Sequence, residues 1–358
     1  MYPSLKFVDT ENSRFFSTLK GRIDDYFHTN QLSKKANTAM VAKTVVYLIA
    51  FIGLYGLIIL EVFSPLITLS LAMLLGVTMA CIGFNICHDA LHGAYSTNSK
   101  VNKSLGFLFN IIGASEYVWR ITHNKIHHTY TNIIGHDGDL EVAPGLIRLS
   151  DKDKKKSVHR FQHVYAFLLY SLTSLSWFFR KDYLKFFQKN IGAHTNKHPK
   201  REYFNLFAYK AMYYTLFIII PLGVMDIAWW QFLIGYLLMN FVEGLVLGLV
   251  FQLAHLVEET DMPSPKINEP IEAAWAVHQM RTTANFAVDS KTATFLCGGL
   301  NFQVEHHLFP NICHIHYPAI SKILRKTAAE FNIPYINNGP FLTALGSHYR
   351  FLRKHGRN

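Results

Sequence analysis

The stretch TVVYLIAFIGLYGLIILEVFSPLITLSLAMLLGVTMACIGFNI, from Thr44 to Ile86, contains no lysine or arginine, and Glu61 is its single charged residue. It is about twice as long as the roughly 20 apolar residues that one membrane-spanning helix needs. Glu61 and Pro65 lie near its middle, where a short turn belongs. The stretch therefore predicts a helical hairpin that crosses a membrane twice.

A second tract, from Ala211 to Ala254, has the same character. It contains no lysine or arginine, its acids are Asp226 and Glu243, and its predicted break lies at Pro221–Asp226. In the whole chain 16% of the residues are charged, against about 25% in a soluble globular protein. We therefore expect an all-α integral membrane protein with four spans, accompanied by interfacial helices and a cytosolic helical cap that holds a histidine-rich di-metal site.

The distribution of basic residues predicts the topology. All 35 lysines and arginines lie outside the two hairpins, and cytoplasmic loops carry the basic excess. We expect a multi-pass protein of the inner (cytoplasmic) membrane, with both termini and the active site on the cytosolic side. Attraction to anionic lipid headgroups then explains the net charge of +11, and no nucleic-acid partner is expected. The predicted segments are a cytosolic or interfacial segment 1–43, a hairpin 44–86, a cytosolic or interfacial region 87–210, a hairpin 211–254 and a cytosolic cap 255–358.

The cysteines indicate no disulfide framework. There are four of them, Cys81, Cys87, Cys297 and Cys313, and no Cys-x-x-Cys pair occurs. The predicted topology places most of them at or inside the reducing cytosolic face. We therefore expect free thiols.

Nineteen histidines is a high number, and several of them form short clusters next to the hairpins. The clusters are HDALH, HNKIHH and QVEHH, and a lone histidine follows the second hairpin. Residues four apart share a face of a helix, so the first two clusters can each present two imidazoles to the same point. The residues concerned are His88 and His92, His123, His127 and His128, Gln303, His306 and His307, and His255.

The joint pattern predicts a metal centre. A single His-x-x-x-His pair arises often by chance, and adjacent histidines can be ordinary interfacial residues. Polar groups that converge at a membrane boundary, by contrast, usually have a functional role. Eight imidazoles exceed the four ligands of tetrahedral zinc, so two metal ions of higher coordination are expected. Imidazole suits iron, copper, nickel and zinc, so the ligands alone leave the metal open.

The three clusters resemble the histidine boxes of membrane fatty acid desaturases. The quoted strings are HDALHGAYS, HNKIHHTYTN and CGGLNFQVEHHLFPNICHIHYP, and RFQ at 160–162, AHLVEE at 254–259 and RTTANFA at 281–287 extend the likeness. The resemblance is to bacterial, especially cyanobacterial, acyl-lipid desaturases of the front-end, delta-6 type. It implies two iron ions, O₂ as co-substrate, and insertion of a cis double bond into a fatty acyl lipid or acyl-CoA.

The resemblance also implies roles for residues. The seven box histidines fall on ligand positions of the family, His255 matches an additional histidine, and Gln303 replaces the first histidine of the third box, as in front-end enzymes. No catalytic residue beyond these metal ligands is expected. The chain has no His-Pro-Gly-Gly haem signature, so electrons must come from an external donor, either ferredoxin or a small haem protein.

Two other functions share parts of this pattern. A membrane hydroxylase or ketolase has similar histidine boxes, and differs in the fate of the carbon radical. A metal transporter would line its path with histidines, yet the tracts 44–86 and 211–254 contain none. The third box favours desaturation over the first alternative, and the histidine-free tracts disfavour the second.

Several residues near the boxes remain open at this point. His159 and His163 have the spacing of a ligand pair, although most such pairs are not metal sites. Asp89 and Glu305 adjoin ligands and are either supports of those ligands or members of a solvated surface. The stretch Gly135–Asp139 is predicted as a loop. Trp119 is a candidate for the acyl entrance, with an interfacial position as the default.

Overall fold

The computed structural model describes residues 5–9, 14–140, 142–150, 152–191, 194–266 and 269–357. Within these ranges the prediction of a helical protein is confirmed. The only strands described there, β1 (Asn190–Ile191) and β2 (His194–Thr195), form a small antiparallel ribbon. The α-helices are α1 Phe15–Thr29, α2 Thr38–Ile59, α3 Pro65–Ile82, α4 His88–Leu91, α5 Ser99–Ile111, α6 Glu116–Trp119, α7 His128–Tyr130, α8 Gln162–Ser171, α9 Thr173–Ser176, α10 Asp182–Phe187, α11 Lys200–Tyr214, α12 Ile220–Val224, α13 Trp229–His255, α14 Trp275–Thr282, α15 Lys291–Leu296, α16 Gln303–Leu308, α17 Tyr317–Glu330 and α18 Phe341–Arg357.

Four continuous helical segments are long and apolar enough to span a membrane. Large apolar side chains on α2, among them Val46, Ile49 and Ile52, are exposed, as expected where a helix contacts lipid instead of protein. The prediction of four spans is therefore confirmed by length and composition. The segments are Thr38–Ile59, Pro65–Leu91, Lys200–Val224 and Trp229–His255.

The third span begins earlier than the charge-free tract, because it includes a buried lysine. Lys210 Nζ lies 2.7 Å from Asp182 Oδ2 and donates a hydrogen bond to Gly113 O at 2.6 Å. A buried ammonium group is tolerated when it is paired and hydrogen-bonded. Counting charges along the sequence cannot reveal such a pair, since Asp182 lies in a different element.

Pro221 lies inside a helix and not in the turn where the sequence places it. Residues Thr215–Ile219 form a π-helical segment directly before it. A proline in a helix lacks an N–H and clashes with the preceding turn, and local widening of the helix relieves that clash. The chain therefore continues to Val224 before it turns towards α13.

Glycines set the close packing of α13 against its neighbours. A Cβ atom at Gly76 on α3 would lie 2.2 Å from Met239 O on α13. A Cβ atom at Gly244 would lie 2.5 Å from Ser171 O at the end of α8. Small residues allow membrane helices to approach backbone to backbone. These contacts fix the relative positions of the helices that end at the histidine cluster.

The C-terminal part of the chain packs over the ends of the spans together with the N-terminal helix. Phe15, Leu19 and Ile23 of α1 belong to a buried apolar cluster that also contains Ile320 and Leu324 of α17. The third histidine box on α16 contributes Val304 and Leu308 to the same cluster. Packing of the cap therefore positions the third box.

Candidate metal centre

The predicted ligands meet where α3 and α13 end. His88 begins α4, which continues the axis of α3 through the π-helical segment Gly83–Cys87, and His92 follows directly after α4. His255 is the last residue of α13. The histidines of the third box lie on α16. Ligands on rigid helices hold their positions better than ligands on loops.

The second box lies on a π-helical segment, Arg120–His127. A π-helix closes hydrogen bonds between residues five apart, and such turns are frequent at functional sites. The rings of His123 and His127 stack with centroids 4.9 Å apart, and Nε2 of His128 lies 3.3 Å from Nε2 of His123. The sequence predicted a shared face for His123 and His127, and the wider turn brings His128 to the same place.

The eight histidines form two adjacent groups. Within each group the possible ligand atoms lie within 4.8 Å of one another. The first group comprises His88, His92, His123 and His306, and the second comprises His127, His255 and His307. His128 meets the same limit with His306 and His307 and so links the groups. The arrangement fits two neighbouring metal ions better than one, since one tetrahedral ion would use only four of the rings.

Gln303 stands beside the second group. Its Nε2 lies 3.0 Å from Nε2 of His255, and its Oε1 has no hydrogen-bond partner among the described residues. The amide side chain is 3% exposed, so bulk water does not satisfy this oxygen. Gln303 can therefore offer an oxygen ligand, either to a metal or to a water bound there.

Unpaired ring nitrogens are the observation that a metal pair explains. Within the part of the chain that the structure describes, six nitrogens of the cluster are buried without a hydrogen-bond partner: His92 Nε2, His127 Nε2, His128 Nδ1, His255 Nδ1, His306 Nε2 and His307 Nε2. A buried polar atom without a partner costs about 1–3 kcal/mol. Six of them in one cluster are not expected unless another species binds them.

The outward nitrogens of three rings are held by oxygen atoms, as in metal sites. His127 Nδ1 lies 2.8 Å from Asp137 Oδ2, and His307 Nδ1 lies 2.8 Å from Gln279 Oε1. His306 Nδ1 lies 3.2 Å from the Tyr317 hydroxyl. When the outward N–H donates to oxygen, Nε2 keeps a lone pair for a metal. No local sequence signal pointed to Gln279 or Tyr317.

Burial keeps most of these imidazoles neutral. It holds the pKa well below its ordinary value for His92, His128, His306 and His307, with neighbouring histidines adding to the effect, and it lowers the pKa of His123 to about 4. Burial also disfavours the charged form of His127, but the nearby carboxylates, chiefly Asp137, outweigh it and raise its pKa. Neutral imidazole is the form that binds metals.

Asp139 connects the first group to a lysine. Its Oδ2 lies 3.4 Å from His123 Nδ1, and its Oδ1 lies 3.3 Å from Lys181 Nζ. Burial favours its protonated form, but Lys181 and His123 outweigh burial and hold the pKa of Asp139 far below its usual range. Sequence reasoning missed both carboxylates of the loop Gly135–Asp139. Two aspartates in a glycine-containing loop directly after the second box were the available signal.

Trp119 is not an interfacial residue. It is 7% exposed, and its ring stacks on His123 with centroids 4.3 Å apart and an angle of 20° between the planes. It also contacts His88, with centroids 5.6 Å apart. The default expectation was therefore wrong, and Trp119 forms a wall of the metal centre.

The Asp89 carboxylate is hydrogen-bonded to residues outside its own box. Its Oδ2 accepts hydrogen bonds from His314 Nδ1 at 2.8 Å and from Cys313 Sγ at 3.0 Å. The carboxyl group is buried, so the solvated alternative is wrong. The contact ties the first box to the segment after the third. Cys313, like the other three cysteines, is a free thiol, as predicted.

Glu305 is likewise buried and tied to other segments. It accepts hydrogen bonds from Asn285 Nδ2 at 2.7 Å and from the Tyr335 hydroxyl at 2.8 Å. Asn285 Oδ1 in turn accepts from the backbone N–H of Val304 at 2.9 Å. This network fixes the start of α16, and it gives Asn285 a role that the sequence did not suggest.

His159 and His163 do not join the cluster. The ring of His159 is hydrogen-bonded to the backbone of Lys156 and contacts Gly145 O at 3.3 Å. The ring of His163 packs edge-on against Tyr349, with centroids 4.9 Å apart. Neither histidine belongs to a group of possible metal ligands in the described ranges. His163 therefore packs against α18, and the His159 ring holds the loop at Gly145.

A mostly apolar cavity leads from the centre into the space between α3 and α13. His88, His123 and Gln303 line it at the metal centre, and Met79 and Glu243 line it at depth. At a helical rise of about 1.5 Å per residue, Met79 lies roughly 13 Å from His88 along the continuous segment Pro65–Leu91. An apolar cavity with a few polar groups is typical of a site for an apolar ligand. Its remaining walls include Phe109, Ile112, Phe178, Leu247 and Phe251.

Comparison with known proteins identifies the same family as the histidine boxes. The family model described as fatty acid desaturase matches residues 63–339. This range contains all eight clustered histidines and Gln303. The resemblance found in the sequence is thereby confirmed.

Curated relatives match over nearly the whole chain. The sn-1 linoleoyl-lipid 6-desaturase of Synechocystis sp. is 35% identical, over 97% of this chain and 97% of its own length. The sn-1 linoleoyl-lipid 6-desaturase of Arthrospira platensis is 33% identical, over 95% of this chain and 92% of its own. The acyl-lipid (8-3)-desaturase of Physcomitrium patens is 32% identical, over 99% of this chain and 74% of its own.

Proposed function

The chain belongs to the fatty acid desaturase family, and from this premise we propose that it desaturates a linoleoyl-type acyl lipid with delta-6 regioselectivity. The observation that carries the proposal is the placement of eight histidines at the head of an apolar cavity between two spans. As a desaturase the protein is an oxidoreductase. The delta-6 position rests on the two cyanobacterial relatives whose names state it.

The metal pair in this proposal is iron. The chemistry removes two hydrogen atoms from adjacent methylenes, and no side chain can act as a base on an alkane. Iron with O₂ supplies that oxidation when it is bound. The ligands would be the eight histidines, with Gln303 as an oxygen donor to the second group. The donor set fits, since imidazole suits iron and buried ring nitrogens of the described cluster have no hydrogen-bond partner.

The protein's own contribution is position and exclusion of water. The cavity holds the acyl chain against His88 and His123, with Trp119 as a wall. Fixing the reacting carbons next to the centre is worth several orders of magnitude in rate. Asp137, Gln279 and Tyr317 hold the rings that face them, so the ligands need little reorganisation when metal binds.

The overall reaction needs two electrons from outside the chain. One acyl chain loses two hydrogen atoms while O₂, two protons and two electrons are converted to two molecules of water. We propose that ferredoxin or a small haem protein supplies the electrons. We also propose that the protein lies in the inner (cytoplasmic) membrane with the metal centre on the cytosolic side. The absence of lysine and arginine from the tracts 44–86 and 211–254 supports this orientation through the positive-inside rule.

The experiment is expression of the full chain in a host that is supplied with linoleate. Mass spectrometry should find a product two mass units lighter, with the new double bond at carbon six. His306→Ala and His128→Ala should each abolish this product and lower the iron content of the purified protein. The exposed His28 provides a control, and His28→Ala should change neither.

Other outcomes assign the chain differently. A product that gains an oxygen atom would identify a hydroxylase. A new double bond at another carbon would remove the delta-6 assignment and keep the desaturase. Full activity in His306→Ala would contradict the proposed ligand set.

A further inference from the structure

The cavity below the metal centre ends against a thin layer of side chains from α3 and α13. Met79 and Glu243 line its deep end. One helical turn further from the centre, Leu75 and Met239 line a second cavity, which reaches the turns between the spans. The two cavities share no lining residue. We call Leu75, Met79, Met239 and Glu243 the partition.

The partition is held shut by close backbone packing. Gly76 lies between Leu75 and Met79, and a Cβ atom there would be 2.2 Å from Met239 O and 3.4 Å from Glu243 N. Helices that approach this closely leave no gap for an alkyl chain. A chain that enters from the metal centre therefore stops at the partition unless α3 and α13 separate.

Glu243 is an unusual residue for the end of an apolar cavity. Its side chain is 1% exposed, and Oε2 has no hydrogen-bond partner in any of the described segments. Nearby polar groups are already engaged, since the Tyr213 hydroxyl lies 3.1 Å from that of Tyr236 and 3.4 Å from Asn240 Oδ1. Ionisable residues inside a span are costly and mark functional positions.

The distance from the metal centre to Glu243 is comparable with the length of an acyl tail. Glu243 precedes His255 by twelve residues on α13, which is about 18 Å along the helix. An extended alkyl chain advances about 1.25 Å per bond, from a bond of about 1.5 Å and an angle near 111°. The separation therefore corresponds to roughly 14 bonds.

We propose that Glu243 limits the length of the acyl chain that the protein accepts. The inference rests on the proposed use of this cavity by the substrate. An eighteen-carbon chain that reacts at carbon six has twelve carbons beyond that point and stops short of the carboxyl group. A twenty-carbon chain extends about 2.5 Å further towards the carboxyl group and displaces water from it. A polar group that is stripped of water without a new partner disfavours that complex, so longer chains are selected against.

The test compares two dienoic acyl chains of eighteen and twenty carbons, both with double bonds at carbons nine and twelve. The full chain and its variants are expressed in the same host, and the ratio of the two desaturated products is measured. Glu243→Leu, which has similar bulk and no polar group, should raise the product ratio of the longer to the shorter chain by at least about fivefold. Glu243→Gln keeps a polar group and should leave the ratio as in the wild type.

A second variant keeps the test decisive if Glu243→Leu does not fold. Glu243→Met, which has an unbranched apolar side chain of similar length, should raise the same product ratio, with iron content unchanged. An unchanged ratio in Glu243→Leu, or an equal rise in Glu243→Gln, would overturn the role of Glu243. If the wild-type protein desaturates neither chain, the proposed function fails as well. If it desaturates both chains and only the ratio is unmoved, the function stands and the length limit is wrong.

Discussion

The carboxylate of Asp137 lies 2.8 Å from Nδ1 of His127, and neither side chain is accessible to solvent. The same carboxylate oxygen accepts the backbone N–H of Asn132 at 3.0 Å, which fixes its position. A histidine held in this way keeps its ring plane and directs Nε2 towards the cluster. Residues outside the three boxes are therefore part of the metal centre.

Replacing Asp137 with asparagine should weaken metal binding about 10- to 100-fold, because the ring loses the charge that orients it and raises its basicity. Iron retained during titration with a chelator measures the effect. Asp24→Asn is the matched control, since Asp24 forms an exposed ion pair with Lys34 far along the chain from any box. Equal iron retention in both variants would show that Asp137 does not support the site.

Two of the His-x-x-x-His pairs in the chain should respond in opposite ways. His88→Ala removes a member of the first ligand group, so iron content and activity should both be lost. His163→Ala removes only a packing contact with Tyr349, so iron content should equal that of the wild type. Metal analysis of the two purified variants distinguishes them, and loss of iron from His163→Ala would show that this residue supports metal binding.

Two glycines in neighbouring spans should differ sharply in their tolerance of alanine. Gly76→Ala places a methyl group 2.2 Å from the Met239 carbonyl oxygen, and overpacking of this kind costs about 1–3 kcal/mol. At Gly53 on α2 nothing lies within 4 Å of the added atom. Thermal unfolding in lipid nanodiscs should show a lower midpoint for Gly76→Ala alone. Equal midpoints would mean that α3 and α13 can move apart freely.

The buried pair of Lys210 and Asp182 should show non-additive substitution effects. Lys210→Met leaves the Asp182 charge buried without its cation, which costs roughly 3–5 kcal/mol. Adding Asp182→Asn removes that charge, and the amide oxygen can still accept one of the two hydrogen bonds that Ser115 N and Trp177 Nε1 donate to the carboxylate. The double variant should therefore be more stable than Lys210→Met alone. A double variant that is less stable would show that the ion pair is not the dominant interaction.

Acid should destabilise the protein partly through His348. Burial lowers the pKa of His348 to about 4, against about 6.5 in an unfolded chain. Between these two pH values only the unfolded state takes up the proton. As the pH falls through this range, the free energy of unfolding therefore decreases by about 1.4 kcal/mol per pH unit through this residue. Above pH 6.5 both states are neutral and the effect vanishes.

His348→Gln should reduce this acid sensitivity, because glutamine can keep contacts with Leu256 O and the Tyr170 hydroxyl without titrating. The thermal midpoint should fall less between pH 7 and pH 5 in this variant than in the wild type. The same fall in both proteins would show that other groups account for the loss.

The sequence predicted the features that arise from local composition and spacing. The four spans follow from the length of two charge-free tracts, and the histidine groups follow from box spacing. The structure brings together all eight histidines and places Gln303 next to them. Their identity as iron ligands remains a prediction that metal analysis must test.

Other parts of the site depend on contacts between distant segments, which spacing cannot reveal. Gln279 supports His307 from α14, and Tyr317 supports His306 from α17. Trp119 was expected at the membrane interface because tryptophan is enriched there in membrane proteins. The π-helical turn after it instead places its ring over His123. The sequence did not predict the early start of the third span for the same reason, since Lys210 is paired with Asp182, 28 positions away.

The clustered histidines come from segments that are more than 200 residues apart, from His88 after the first hairpin to His307 on α16. A ribosome that has synthesised the first two boxes has therefore made only part of either group. Both hairpins must enter the membrane, and α16 must pack against α1 and α17, before the two histidine groups are complete. We therefore expect the proposed metal pair to bind late in biogenesis, and a chain stalled before the third box to lack a complete site.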